Sequence, residues 1–440
     1  MRLYRRRPRF FFFLYFSEEK NIMPGTYDCI VAGGGFAGTA AAVAAAREGL
    51  RVLLIEKSGA LGGAANCNLV NPFMPYHLTM NGKKRMICDG LFREILERLK
   101  TYHALADNGI NFNEEILKIV LDEMTDECGV HVLFHSYLSD VTTDDGRVTG
   151  VSVVGKSGTA HYTADYFIDA TGDGDLAAKA AFPFEVGREE DGLCQPMTLC
   201  FRLGHVDVDG AFAMQKEIND AYAARKREGK IRNPREDVLM FCHTEDGIMH
   251  FNSTRVVRRS PLSAEDLSAA EKEARKQAFE LYTFLKENFT PFKDAFLLSF
   301  ASEIGVRESR RIIGEHRLTT EEIKACTKFS DGIAACNYEI DIHSPTGEGT
   351  SHYHFAPGEF YTIPYRALLP KGSKNLLVAG RCISASHDAQ ASLRIMPVCC
   401  TLGQAAGTAV ALAAHGRAAV GDIDTEKLRK SILRHGGFLG

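Results

Sequence analysis

Gly33, Gly35 and Gly38 stand in the spacing G-x-G-x-x-G, and an acidic residue, Glu56, closes the apolar run that follows. Each position has a chemical reason. Gly33 permits a tight turn out of a strand, Gly35 lets the backbone approach a pyrophosphate, and Gly38 lets the next helix press against a sheet. The Glu56 carboxylate is placed to accept the hydroxyls of a ribose. Together these residues point to a dinucleotide site; the alternative for the glycines alone is a tight turn in an α/β core. Arg307, Arg310 and Arg311 lie within GVRESRRIIGE at a spacing suited to one helix face. They fit either a carboxylate ligand or a solvated, salt-bridged surface. His343, His352 and His354 crowd the loop 340–355, where H-x-H plus one further histidine is a usable metal-ligand set. Loop histidines are common, and the expectation is no metal.

These residues need elements to hold them. Cys29 to Ala32 reads as a strand buried on both faces, Thr39 to Ala46 as an alanine-rich helix ended by Gly49, and Val52 to Ile55 as a second strand. The helix N-terminus offers unpaired N–H groups and a positive partial charge to phosphates. The pair Gly62–Gly63 suggests another close approach of backbone to ligand. Two amphipathic helices are expected around Leu91–Leu105 and Glu114–Cys128. HVLFHSYLSDV, RVTGVSVV and AHYTADYFIDA, separated by Asp145–Gly146 and Ser157–Gly158, predict a three-stranded antiparallel meander leading into Ala170–Asp175. From about Phe182 to Pro364 the texture is mixed, with a charged helix over Ala264–Asn288 and a helical reading of Gly305–Glu315. NLLVAG then predicts a strand, and Ile395 to Ala414, uncharged but rich in Ala, Gly, Thr and Cys, a helix buried in a core rather than a membrane span. The fold class expected is α/β: a Rossmann-like domain with an antiparallel meander, built from 23–181 and 365–440, and an α+β substrate domain inserted at 182–364.

The chain has 440 residues, enough for two or three domains, with 45% hydrophobic and 25% charged residues, as in an ordinary globular protein. A net charge of −4 argues against a nucleic-acid surface. Twelve cysteines without a C-x-x-C pair read as reduced thiols, hence a cytoplasmic protein. Arg5 to Arg7 before Phe10–Phe16 look like a twin-arginine export signal, but the apolar run is seven residues and Glu18, Glu19 and Lys20 follow it. The expectation is a start at Met23 preceded by an extension, 1–22, without a fold.

With these motifs quoted, the chain resembles the FAD-dependent oxidoreductases of the glutathione-reductase-like superfamily. It is most similar to a bacterial branch distantly related to fumarate reductase flavoproteins and thiazole-synthesis proteins. The resemblance runs from Tyr27 to Ala414 and rests on Gly33 to Gly38, Glu56, Leu61-Gly62-Gly63, Ala170-Thr171-Gly172, RESRR at 307–311 and NLLVAGRCISASHDAQASLRIMPVCCTLGQAAGTA. It implies an FAD domain of discontinuous segments with a substrate domain inserted. Gly33, Gly35, Phe36, Ala37 and Gly38 would hold the pyrophosphate, Glu56 the ribose, with Lys57 beside the adenosine. Gly62 and Gly63 would lie along the flavin, and Thr171, Gly172 and Asp173 would pass the cofactor. The helix after Pro397 would aim its N-terminus at the flavin pyrimidine ring. Many relatives follow the last strand with Gly-Asp, whose Asp holds the ribityl chain; here Gly380 is followed by Arg381, and Asp388 is the candidate for that role.

Departures from the family narrow the chemistry. There is no second G-x-G-x-x-G for a nicotinamide cofactor. Cys67 follows the glycine pair without a redox partner, and Cys399–Cys400 at a helix start are read as packing. Ala64 and Ala65 replace the histidine that tethers FAD in fumarate-reductase relatives, so FAD is expected to be non-covalent. His387 and Arg394 flank the turn that should face the flavin, and with Arg311 and His343 they are the candidate catalytic groups, His387 as a proton-transfer group. The reaction expected is hydride transfer between a small organic substrate and FAD. The rivals are a flavin monooxygenase or halogenase, although the hydroxylase motif G-D-A-A-H is absent, and a non-catalytic FAD-binding or RNA-modification-associated protein. A small-molecule substrate and an unidentified electron acceptor are the partners expected, with neither nucleic acid nor membrane.

Overall fold

The computed structural model describes residues 27–80, 82–347 and 349–440; the expected extension 1–22 lies outside them. The first strand, Tyr27–Ala32, is apolar and almost wholly buried, as a strand covered on both faces must be. It lies between two parallel neighbours, Val52–Ile55 and the end of the long strand Gly158–Asp169. His131–Leu133 extends the parallel set beside Val52–Ile55, and Leu376–Val378 closes it beside Gly158–Asp169. These five strands form the Rossmann-like part of a seven-stranded sheet.

The long strand Gly158–Asp169 does two things. Its first half pairs antiparallel with Arg147–Gly155, which pairs antiparallel with Tyr137–Asp144. Its second half, from Ala164, pairs parallel with Tyr27–Ala32. The meander therefore hands the chain directly to the C-terminal edge of the parallel sheet, where nucleotide-binding crevices form. The run HVLFHSYLSDV, expected as one meander strand, is two: His131–Leu133 belongs to the parallel edge, and the chain bends before Tyr137.

The charged helix spans Ala264–Asn288, and the two amphipathic helices span Leu91–Thr101 and Glu114–Glu127. The segment 182–364, expected as one insertion, is divided among three clusters, a small one of which joins Leu199, Val256, Ala274 and Ile304 to Leu69. Residues from Phe201 to Ala295 make their own cluster around Phe201, Phe251, Phe292 and Leu285. A four-stranded antiparallel sheet carries it, in the order Met240–Cys242, Met249–Phe251, Phe201–Gly204, Phe296–Phe300. By contrast, Ile312, Leu318, Ile333 and Ile363 pack into the main core. Gly305–Glu315, expected as a helix, is irregular with one short strand, Arg310–Ile312, paired to Phe184–Val186. Among the described residues, the one helix long and apolar enough to cross a membrane is Met396–Gly416, and 94% of its apolar window is buried in the fold.

Candidate active site

The glycine loop leaves the first strand at Gly33, whose φ of +96° only glycine adopts at low cost. A Cβ on Gly38 would lie 1.7 Å from the Gly33 carbonyl oxygen, so the helix Phe36–Arg47 starts hard against the turn only because this position is bare. Gly35 caps that helix without any side-chain hydrogen bond, and its first turn holds no acidic residue. The long helix Met396–Gly416 also lacks a side-chain cap and an acid in its first turn, where Pro397 sits. Both N-termini open on one cleft of about 880 Å³, lined by Phe36, Ala37, Met396 and Cys399 among others. Two uncapped positive dipole ends on one cleft suit a ligand with two electron-rich regions, such as a dinucleotide pyrophosphate and an aromatic ring that gains negative charge.

The remaining walls add polar groups. Glu56 lines the cleft with one oxygen accepting from the Gly34 N–H at 2.6 Å and the other from the Ser58 N–H at 2.7 Å. Each oxygen keeps a lone pair for a hydroxyl. Gly33, Gly35, Lys57, Gly62, Gly63, Thr171, Gly172, Asp173 and Gly380 line the same cleft. Lys57 pairs with Glu303 at 3.0 Å, a wall residue that the sequence did not single out. Asp169, buried at the end of its strand, accepts from the Thr171 and Ala177 N–H groups and from the Thr171 hydroxyl, and fixes the Thr171–Asp173 loop. Burial pushes its pKa up to about 6.

Arg381, the residue that stands where relatives carry Asp, lines the cleft and donates to Asp173 at 2.7 Å. Burial pushes the Asp173 carboxyl up, but Arg381, with the Ser309 hydroxyl and Lys57, outweighs it and holds the group below the usual carboxylate range. Asp388, proposed from sequence for the ribityl chain, is not on the cleft wall; it lies in the first turn of the helix His387–Leu393. Cys67 and Cys399 are on the wall. Burial raises both thiols, Cys399 to about 12, so neither is a thiolate nucleophile at neutral pH.

A second cavity of about 680 Å³ adjoins the first, and Ala64, Asn68, Val306, Arg381, Arg394 and Met396 line both. Its other walls are apolar at Val70, Met74 and Ile395 and polar at Thr198, Asn252 and Arg307. Arg307 donates to the Pro196 carbonyl at 2.8 Å and to Asn252 Oδ1 at 3.5 Å. Burial, then the like charge of Arg394, pushes its pKa down to about 9. A guanidinium so placed attracts an anion. Arg394 has one nearby carboxylate, Asp341, at 3.5 Å, and its Nε has no partner among the described residues.

Three of the four expected catalytic groups lie elsewhere. Arg311 is buried and committed to protein groups: Glu308, the Ala385 carbonyl at 3.0 Å and the Gly187 carbonyl at 2.8 Å. His387, the first residue of its helix, bonds the buried Glu308 at 2.8 Å and is absent from both cavity walls. His343 is buried and on neither cavity wall: its Nδ1 accepts from Arg255 at 3.1 Å, and its Nε2 lies 3.5 Å from Asp341. Burial and Arg307 push its pKa down to about 3, so it is neutral. Of the candidates, Arg394 alone reaches the cavities, joined there by Arg307, a member of the arginine cluster weighed from sequence.

Residues 28–432 match a protein family described as FAD dependent oxidoreductase. Among solved structures, the chain is similar to a geranylgeranyl bacteriochlorophyll reductase-like protein from Thermoplasma acidophilum, at 14% identity, TM-score 0.47, and coverage of 93% of this chain and 84% of the other. It is similar to a p-nitrophenol 4-monooxygenase from Pseudomonas putida, at 13% identity and TM-score 0.39, over 67% and 70% of the two chains. It is also similar to an anhydrotetracycline hydroxylase from Streptomyces rimosus, at 13% identity and TM-score 0.41, over 92% and 65%. None of these likenesses reaches a TM-score of 0.5, and the activities in those names stay with those proteins.

Proposed function

The chain belongs to the FAD-dependent oxidoreductase family and is an FAD-dependent enzyme, and from that premise we propose that its substrate is a small organic carboxylate bound in the arginine cavity beside the cofactor cleft. The observation that carries this reading is the pair Arg307 and Arg394 on the wall of the second cavity, neither fully neutralised by a carboxylate. FAD, when bound, exchanges a hydride equivalent with an organic substrate. Gly33, Gly35, Gly63 and the uncapped N-terminus at Phe36 would hold its phosphates, and Glu56 its ribose. The first turn of Met396–Gly416 would face its flavin end.

The protein's own contribution is orientation and charge. Two guanidiniums fix a carboxylate by charge-assisted hydrogen bonds, and the apolar walls at Val70, Met74 and Ile395 exclude water from the rest of the substrate. Met396 and Ala64, shared by both cavities, stand at the junction where a substrate would approach the cofactor. Among the described residues, the cavity wall carries no imidazole and no carboxylate. The thiol on it, Cys200, is raised by burial to about 12. The site therefore supplies binding and electrostatic stabilisation rather than a general base of ordinary pKa.

An anaerobic panel of carboxylates, each paired with its amide or ester, tests this by bleaching of the flavin absorbance. A carboxylate is expected to bleach the flavin while its neutral counterpart does not. Arg307→Gln and Arg394→Gln should each weaken the response about tenfold or more, for the loss of a charge-assisted contact of about 1.5–3 kcal/mol. Equal reduction by neutral counterparts, indifferent to both substitutions, would overturn the reading.

A further inference from the structure

We propose that Glu339, His352, His354 and Asp341 form a binding site for one divalent transition-metal ion on the hairpin beside the arginine cavity. The hairpin pairs Ile340–His343 with Thr350–Tyr353 in antiparallel register, with Asp341 directly opposite His352. Continued two residues past that pair, beyond the last paired residues Ile340 and Tyr353, the same register brings Glu339 opposite His354. Residues directly opposite share a face, and so do residues two apart on one strand. The four side chains are therefore the corners of one patch, two imidazoles on one strand facing two carboxylates on the other.

Within the patch the donor atoms of Glu339, His352 and His354 converge, and Asp341 stands at their edge. Both imidazoles turn Nδ1 toward the same carboxylate oxygen, Glu339 Oε2, His352 at 3.1 Å and His354 at 2.7 Å. The rings are parallel within 2°, with centroids 5.8 Å apart. Ligand atoms held by metal bonds of about 2.0–2.1 Å are spaced about 3 Å from one another. One donor atom from each of Glu339, His352 and His354 lies within 4.8 Å of the others.

A second observation points to the same place. Asp341 is only 8% exposed, and its Oδ1 is buried with no hydrogen-bond partner among the described residues. That oxygen lies 4.0 Å from His352 Nδ1, on the side of the cluster. The other oxygen, Oδ2, is used: it accepts from the Tyr338 hydroxyl at 3.0 Å and faces Arg394 and His343. An orphaned buried carboxylate oxygen is costly, and a cation at the cluster gives it a partner. Two imidazoles with two carboxylates suit zinc and other first-row divalent ions rather than calcium or magnesium, which take oxygen ligands. His343, which the sequence grouped with the other two histidines, is not part of the set; its two nitrogens face Asp341 Oδ2 and Arg255. The site does not depend on what the arginine cavity binds. It does share Asp341 with Arg394, so the ion would stiffen one wall of that cavity.

The test is equilibrium dialysis of the FAD-loaded full chain, stripped with a chelator, against zinc chloride, with metal counted per chain. One zinc per chain is expected. His352→Ala with His354→Ala should lower that affinity about a hundredfold or more, since both nitrogen ligands are lost. Both side chains are exposed, at 41% and 75%, so the variant should retain its FAD and its melting temperature without zinc. Zinc should raise the melting temperature of the wild type and not that of the variant. Absence of zinc binding at tens of micromolar in the wild type, or binding that survives the double substitution, would overturn the proposal.

Discussion

Glu56 fixes its own turn with the same two oxygens that we propose accept the ribose hydroxyls. It satisfies the Gly34 and Ser58 N–H groups, which shape the turn on each side of the ribose position. Glu56→Ala therefore removes a ribose acceptor and leaves two backbone donors unpaired. We expect FAD affinity to fall about tenfold or more, for the loss of about 1.5–3 kcal/mol. Glu56→Gln keeps one acceptor oxygen and should fall between the two. Fluorescence titration of apo-protein with FAD reads this directly; wild-type affinity in Glu56→Ala would remove Glu56 from the site. Its place on the cleft wall was legible because a strand end stands at a fixed distance from a glycine loop. His387 was not. Its position in the chain, just ahead of the apolar helix, is right for a catalytic group, but the side chain turns to Glu308. Glu308 lies at a sequence distance no local pattern reports, and it also binds Arg311 and the Gln195 N–H.

The helices Phe36–Arg47 and Met396–Gly416 meet along a seam of small residues. A Cβ on Gly403 would lie 1.9 Å from the Ala37 carbonyl oxygen, and one on Gly407 would lie 2.2 Å from the Ala41 carbonyl oxygen. Ala37 and Ala41 are four apart, as are Gly403 and Gly407, so the two helices run in the same direction past each other. That is why both uncapped N-termini arrive at one cleft. Gly403→Ala must push the helices apart, and overpacking of this kind costs about 1–3 kcal/mol. It should lower both the melting temperature and FAD affinity, because the displaced elements carry the two ends of the cleft. Gly416→Ala, in the same helix with no neighbour closer than 3.9 Å, should leave both nearly unchanged. Equal behaviour of the two variants in thermal melts would remove the seam as the cause. Both helices were legible because apolar character and alanine content are local properties, and the charged helix has the ends expected of it, Ala264 and Asn288. Gly305–Glu315 was misread because charge at helical spacing there has other uses. Arg307 serves the cavity, Arg310 bonds Asp175 and Arg311 binds Glu308. The short strand in that segment pairs with Phe184–Val186, and such long-range pairing leaves no local trace.

At the scale of the whole molecule, the core carried by the small antiparallel sheet must dock on the main core that builds the cofactor cleft. One buried ion pair crosses between them. Arg202, in the middle of the small sheet, donates through both terminal nitrogens to Glu114, the first residue of the helix Glu114–Glu127, with Nη2 at 2.6 Å from Oε2. Their side chains are 7% and 4% exposed, and His243 approaches the same carboxylate at 3.5 Å. Asn111 adds a neutral link, donating to the Cys242 carbonyl at 2.7 Å. Breaking one side of a buried pair leaves the other charge uncompensated, at a cost of about 3–5 kcal/mol. Glu114→Gln should lose about that much, and joint replacement of both partners by leucine should recover most of it. The pH dependence has a definite sign. Burial pushes the Glu114 carboxyl up, but His243 and Arg202 together outweigh it and hold the group well below the usual carboxylate range. A carboxyl whose pKa is lower folded than unfolded contributes stability that is complete above the unfolded value, about 4.3, and is lost as the pH falls toward the folded value. The stability difference between wild type and Glu114→Gln should therefore be constant from about pH 6 to 8 and shrink below about pH 4. Denaturant melts of both proteins from about pH 3 to 8 measure it. A difference that stayed constant down to the acid end of that range would mean that the charge on Glu114 does not hold the two cores together, and that the neutral contacts of the interface do.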